Sequence, residues 1–141
     1  MINATQIFYN RLLYGKHTFQ DGDICFAAPH KNPDGSQGGW VAETALVEST
    51  CWISPDAEVL EYAHVKDEAR ILGNAVVSGF AVVGGKAIVN DWALITEAAT
   101  VEGTAYIGSG AVICRESYVN CGNVEKDKYY TNLQQRNLRN D

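Results

Sequence analysis

The sequence has little from which to build a metal centre, a disulfide framework or a membrane anchor. Its four cysteines, Cys25, Cys51, Cys114 and Cys121, form no C-x-x-C pair and no metal-like spacing with His17, His30 or His64. No apolar run approaches the length of a membrane span, and the opening M-I-N-A-T-Q-I-F-Y-N-R-L-L-Y lacks the pattern of a cleavable signal. A reducing cytoplasm is therefore the expected compartment, without a membrane partner. Positive charge is scarce as well. Between Val41 and Val124 the basic residues are Lys66, Arg70, Lys86 and Arg115, against eleven acids from Glu43 to Glu116. A nucleic-acid binder is expected to carry a basic stripe, so direct nucleic-acid binding is not expected and partners with basic surfaces are favoured.

What the chain does have is an interval. From Val41 a Val or Ile returns every sixth residue, through Val47, Ile53, Val59, Val65, Ile71, Val77, Val83, Val89, Ile95, Val101, Ile107 and Ile113 to Val119. None of these positions holds Leu, Met or Phe. Two places before each stands a small residue, from Gly39 through Ala45, Cys51 and a run of alanines to Ser117. A repeat of this length decides the architecture before any local assignment. On an α-helix, residues six apart are rotated by roughly 240°, so the aliphatics would scatter around the axis and form no stripe. An antiparallel meander would need a two-residue hairpin at each joint, normally Asn-Gly or Asp-Gly. The joints here read Glu43-Thr44, Pro55-Asp56, Asp67-Glu68 and Asp91-Trp92. A solenoid of short parallel strands remains, with the small residue and the aliphatic both pointing inward and two residues turning each corner. Cys51 fills one of the small inward slots.

This pattern resembles the hexapeptide-repeat, left-handed parallel β-helix family, in which three hexads form one triangular coil. G-G-W-V (Gly38 to Val41), C-W-I (Cys51 to Ile53) and I-L-G-N-A-V-V-S-G (Ile71 to Gly79) make it similar to the YdcK-like hexapeptide proteins of bacteria, phages and prophages. The resemblance implies an all-β, left-handed β-helix and a genomic neighbourhood more than a reaction.

The expected organisation is a capping segment over residues 1–39, the β-helix over 40–124, and a C-terminal tail or short helix over 125–141. The cap follows from the open end of a solenoid, whose backbone groups and apolar walls need cover. Phe8, Tyr9, Leu12, Leu13, Tyr14 and Phe26 would supply it, ahead of a turn at Pro33 to Gly35. In the tail, K-D-K-Y-Y-T-N-L-Q-Q-R-N-L-R gives Tyr129, Tyr130, Leu133 and Leu138 as contacts of a short helix.

With three hexads per coil, residues eighteen apart share a wall, and the outward positions can be sorted. One wall stacks Trp40, Glu58, Val76, Leu94 and Val112, with Leu60 alongside; a second stacks Trp52, Arg70, Ile88 and Tyr106, with Leu72. The third stacks Leu46, His64, Val82, Thr100 and Tyr118. Two walls are too apolar to stay bare. Trp40, Trp52, Leu60, Leu72, Val76, Ile88, Leu94, Tyr106 and Val112 are therefore expected at an interface, either between copies of the chain, with a trimer favoured because the resembling proteins commonly form one, or beneath the chain's own tails.

The resemblance also raises acyl transfer from a coenzyme A thioester as the alternative function, with His64 as the general base. The enzymes of that kind usually carry a loop that interrupts the coils and folds over the substrate. Here the repeat runs unbroken, and no pocket is expected beside His64. A zinc site of the carbonic anhydrase type needs three histidines, and the repeat holds one. Gly84-Gly85-Lys86 lacks the rest of a phosphate loop and reads as a corner. No metal and no cofactor is expected. The preferred expectation is a non-enzymatic binding or structural protein, with corner aromatics Tyr62, Phe80 and Trp92 and acids Glu43, Glu61 and Glu97 meeting a protein partner. By analogy with the phage and prophage proteins, that partner is a host or defence component inhibited in the host cytoplasm; a virion component is a further version.

Overall fold

A computed structural model describes residues 15–136. Over them the chain is all β, a parallel solenoid of about five turns. Phe8, Tyr9, Leu12, Leu13, Tyr14 and Leu138, expected as covering residues, lie outside the described residues.

Three sheets form the walls. Sheet A carries β3 (Gln37–Ala42), β6 (Glu58–Val59), β9 (Val76–Val77), β12 (Leu94–Ile95), β15 (Val112–Cys114) and β18 (Tyr129–Thr131). Sheet B carries β4 (Leu46–Val47), β7 (His64–Val65), β10 (Val82–Val83), β13 (Thr100–Val101), β16 (Tyr118–Val119) and β19 (Gln134–Gln135). Sheet C carries β5 (Trp52–Ile53), β8 (Arg70–Ile71), β11 (Ile88–Val89), β14 (Tyr106–Ile107) and β17 (Asn123–Val124). The register matches the interval: Val59 pairs with Val77, Val65 with Val83 and Ile71 with Val89, each eighteen residues on. Consecutive coils are joined by ladder bonds such as Val76 N–H to Ala93 O and Ser78 N–H to Ile95 O, both 2.9 Å.

The inward series makes one continuous core. Every aliphatic from Ile53 to Val119 is sealed from solvent, and so are Cys51 and the alanines from Ala57 to Ala111. β-Branched side chains suit this position, because a short wall offers each one pleated site and a single rotamer fills it.

From Glu61 to Arg115 each corner opens with a residue in the left-handed region. Gly73, Gly79, Gly85 and Gly103 take it without penalty, while Glu61, Asp67, Asp91, Glu97, Ser109 and Arg115 hold φ between 53° and 61°. For an ordinary residue that conformation costs roughly 1–2 kcal/mol. A recurring bond offsets it. Glu61 Oε1 accepts the Gly79 N–H (2.7 Å), Asp67 Oδ2 that of Gly85 (2.8 Å), Asp91 Oδ2 that of Ser109 (2.9 Å) and Glu97 Oε1 that of Arg115 (2.9 Å). Four of the repeat's acids thus brace one corner against the next.

The N-terminal segment is a meander. β1 (Gly15–Thr18) pairs antiparallel with β2 (Ile24–Lys31), and β2 pairs antiparallel with β3, extending sheet A past the first coil. The hairpin also folds against the outer side of the wall, where Phe19, Ala27, Ala42 and Leu60 form a second small core. Sheet C starts at β5, whose upper edge has no strand neighbour among the described residues. Asn32 serves that edge instead. Its Oδ1 accepts the Ile53 N–H (2.9 Å), its Nδ2 donates to Ile53 O (3.2 Å), and the residue is 3% exposed. His30 Nε2 lies 2.9 Å from Cys51 O on the same edge.

The short C-terminal helix is not found among the described residues; β17, β18 and β19 continue the coils. The tail escaped the sixfold reading because its corners are shorter. Val124 pairs with Ile107 and Tyr130 with Ile113, seventeen residues apart, and Gln135 pairs with Val119, sixteen apart. Tyr130 and Leu133 close the lower end of the core. Ser117, buried in an alanine slot, anchors this last turn: its Oγ donates to Cys114 O (2.8 Å) and accepts the Leu133 N–H (2.7 Å).

Candidate binding site

The corners stack into three edges, and the edge between sheets A and B holds most of the residues expected at a binding site. Tyr62 and Phe80 lie one coil apart on it, their rings stacked at 5.3 Å between centroids and 8° between planes. They are 60% and 69% exposed, so packing among the described residues covers neither. Glu43, Glu61 and Glu97 fall on the same edge. The carboxylates of Glu61 and Glu97 are already engaged with the backbone of the next corner, which fixes their direction beside the rings. The result is a preformed aromatic step flanked by anchored acids.

Trp92, 67% exposed, stands apart on the edge between sheets C and A. There it borders a groove of about 550 Å³ together with His17, Trp40, Asp56 and Glu58. His17 stacks on Trp40 at 4.3 Å between centroids, and its Nε2 lies 3.1 Å from Glu58 Oε2. Glu58 Oε1 accepts the Gln20 N–H (2.9 Å), and the residue is only 8% exposed. A second lobe of about 240 Å³ continues past Asp21 and Glu58 to Val76 and Leu94. His17, Gln20 and Asp21 come from the hairpin and carry no periodic signal. Glu58 had one, as the single charge in an otherwise apolar outward row.

The expected interface residues divide. Leu60 is 1% exposed and Trp40 half-buried, and both pack against the chain's own hairpin. Val76, Leu94 and Val112 continue down sheet A as half-exposed residues. Trp52, Leu72, Ile88 and Tyr106 are half-exposed along sheet C, where Trp52 and Ile88 line a groove of about 610 Å³ with Arg70 and Lys86. Tyr106 Oη accepts a bond from Asn90 Nδ2 (3.0 Å).

His64 projects from β7 between Leu46 and Val82. Its Nε2 is covered and makes no hydrogen bond, and Glu48 Oε2 at 3.6 Å is close enough for charge attraction only. Among the described residues, no three of His, Cys, Asp and Glu are grouped to hold a metal ion, and no helix is long and apolar enough to cross a membrane. All four cysteines are free. Compared with family models, curated proteins and solved structures, the chain matches none.

Proposed function

We propose that this β-solenoid is a non-enzymatic binding module that docks a protein partner along the edge between sheets A and B. The observation that carries this reading is the exposed Tyr62–Phe80 stack. Aromatic side chains dominate interface energetics, and a stack already in place loses little entropy on docking. The anchored carboxylates of Glu61 and Glu97 favour a partner with basic groups around an apolar centre. The likeness to phage and prophage hexapeptide proteins supports the finer form, in which the partner is a host or defence protein that this chain inhibits in the cytoplasm. Four free thiols agree with a reducing compartment.

The test compares the parent chain with the double variant Tyr62→Ala/Phe80→Ala as baits in a host lysate. Both rings lie outside the core, so the double variant should fold and lose no more than about 1.5 kcal/mol of stability, the worth of the stack itself. The expected result is a specific protein held by the parent and released by the variant, at a cost of roughly 2 kcal/mol or more in affinity. Equal retention by both baits rejects this edge. Turnover of an acyl-coenzyme A thioester that fails in His64→Ala rejects the non-enzymatic reading.

We further propose that copies of the chain associate through sheet C as a trimer. The half-exposed row of Trp52, Ile88 and Tyr106 supports this, since the hairpin covers only the upper part of sheet A.

A further inference from the structure

We propose that the groove between Trp40 and Trp92 holds the guanidinium group of an arginine side chain, with Glu58 as its principal acceptor and Trp92 as the ring on which it stacks. Glu58 occupies a position where sheet A otherwise presents Trp40, Val76, Leu94 and Val112. Burying a carboxylate there is costly unless it is paired and hydrogen-bonded. Its bonds to His17 and Gln20 tie down the hairpin, yet they use two of the roughly four acceptor positions a carboxylate offers. Glu58 lines both lobes of the groove, which places the carboxylate within reach of a ligand there.

The rest of the lining selects among ligands. Asp56 borders one lobe and Asp21 the other, and among the described residues no Lys or Arg lines either. His17 is the one basic side chain at the site and is already paired with Glu58. An anion is excluded by this charge. A neutral polyol would displace water from three carboxylates without returning a charge to them. A cation suits this acidic lining, and the exposed indole of Trp92 adds attraction for a positive group over its face. Guanidinium fits better than ammonium because it is planar, is weakly hydrated and offers five donors to acceptors spread around the groove. The groove reaches the edge of sheet A shared with sheet C, whereas Tyr62 and Phe80 stand on its other edge, so the site does not depend on that aromatic edge being functional.

The experiment titrates the full chain with a terminally blocked Gly-Arg-Gly peptide and its citrulline counterpart, which is similar in shape but uncharged. Binding is followed through the indole N–H signals of the three tryptophans in NMR spectra. The expected result is a saturable shift of the Trp92 signal with the arginine peptide and none with citrulline. Trp92→Ala and Asp56→Asn should each weaken binding by about fivefold or more, a change in keeping with one cation–π or charge contact. Tyr62→Ala/Phe80→Ala should leave it unchanged. Glu58→Gln should abolish it; if that variant does not fold, the two surface variants decide. Equal shifts with citrulline, a response confined to Trp52, or a larger Trp92 shift with a neutral trisaccharide would each overturn the assignment.

Discussion

Cys51 illustrates how tightly one inward position is specified. It occupies a slot that Ala fills in the following coils, with no exposed surface, and its Sγ lies 3.5 Å from Asp67 O. Burial pushes its pKa from 9.0 up to about 11, with the Glu48 charge adding to the rise. The folded chain therefore holds this proton more tightly than the unfolded chain. The resulting stability is complete below pH 9 and is lost as the pH climbs through 11. Cys51→Ala places the consensus residue there and should fold normally. The expected outcome is that its urea midpoint falls less than the parent's between pH 8 and pH 10.5, because tyrosine and lysine titrations are common to both. Parallel falls would mean that the thiol ionises freely in the folded chain. Val77→Asp tests the opposite extreme. An unpaired carboxylate in the sealed core should cost several kcal/mol, enough to leave the chain unfolded by circular dichroism.

At the scale of elements, the two ends of the solenoid differ from its middle, and there sequence and structure part company. The middle was legible because each wall must stack on the next, so one interval states both the strand and its register. The same arithmetic puts Tyr62, Phe80 and Trp92 and the acids Glu43, Glu61 and Glu97 at corners, whereas the stacking of Tyr62 on Phe80 along one edge, with Trp92 on another, is seen only in the structure. The hairpin was not legible, since β1 and β2 pair antiparallel and obey no sixfold rule. The tail was hidden by its shorter corners, although Gly103 marks the change: a Cβ there would sit 2.1 Å from Asn120 O. Gly103→Ala should thus destabilise by about 1–3 kcal/mol in a urea melt. At the upper end, Asn32 serves the edge of β5, which has no strand neighbour among the described residues. Asn32→Ala strips the partners from the buried Ile53 N–H and C=O, and each such loss costs about 1–3 kcal/mol. The expected signature is a lower urea midpoint together with faster hydrogen exchange at the Ile53 amide. A lower midpoint without that local change would place Asn32's contribution in its own turn, where its Nδ2 also donates to Ser36 Oγ (3.4 Å).

For the whole molecule, the governing question is which wall a second copy could cover. The chain's own hairpin already occupies the upper part of sheet A, and Trp40 and Leu60 with it. Sheet B is interrupted by His64 and Thr100 and leaves Leu46 57% exposed at its top. Sheet C is the wall whose apolar row runs from Trp52 through Ile88 to Tyr106, broken only by Arg70, and the broad groove beside Trp52 gives a partner something to fill. A closed ring of three would bury that row on every copy and leave none bare, which an open chain of contacts cannot do. Light scattering on a sizing column should then return three times the 15.4 kDa of one chain. Trp52→Glu should return the single-chain mass with the fold intact, because the side chain is outward and a charge there opposes only association. A parent that already runs at 15.4 kDa would reject the assembly. It would leave sheet C, with Arg70 and Lys86 beside Trp52, as a surface open to a different partner from the acidic groove on sheet A.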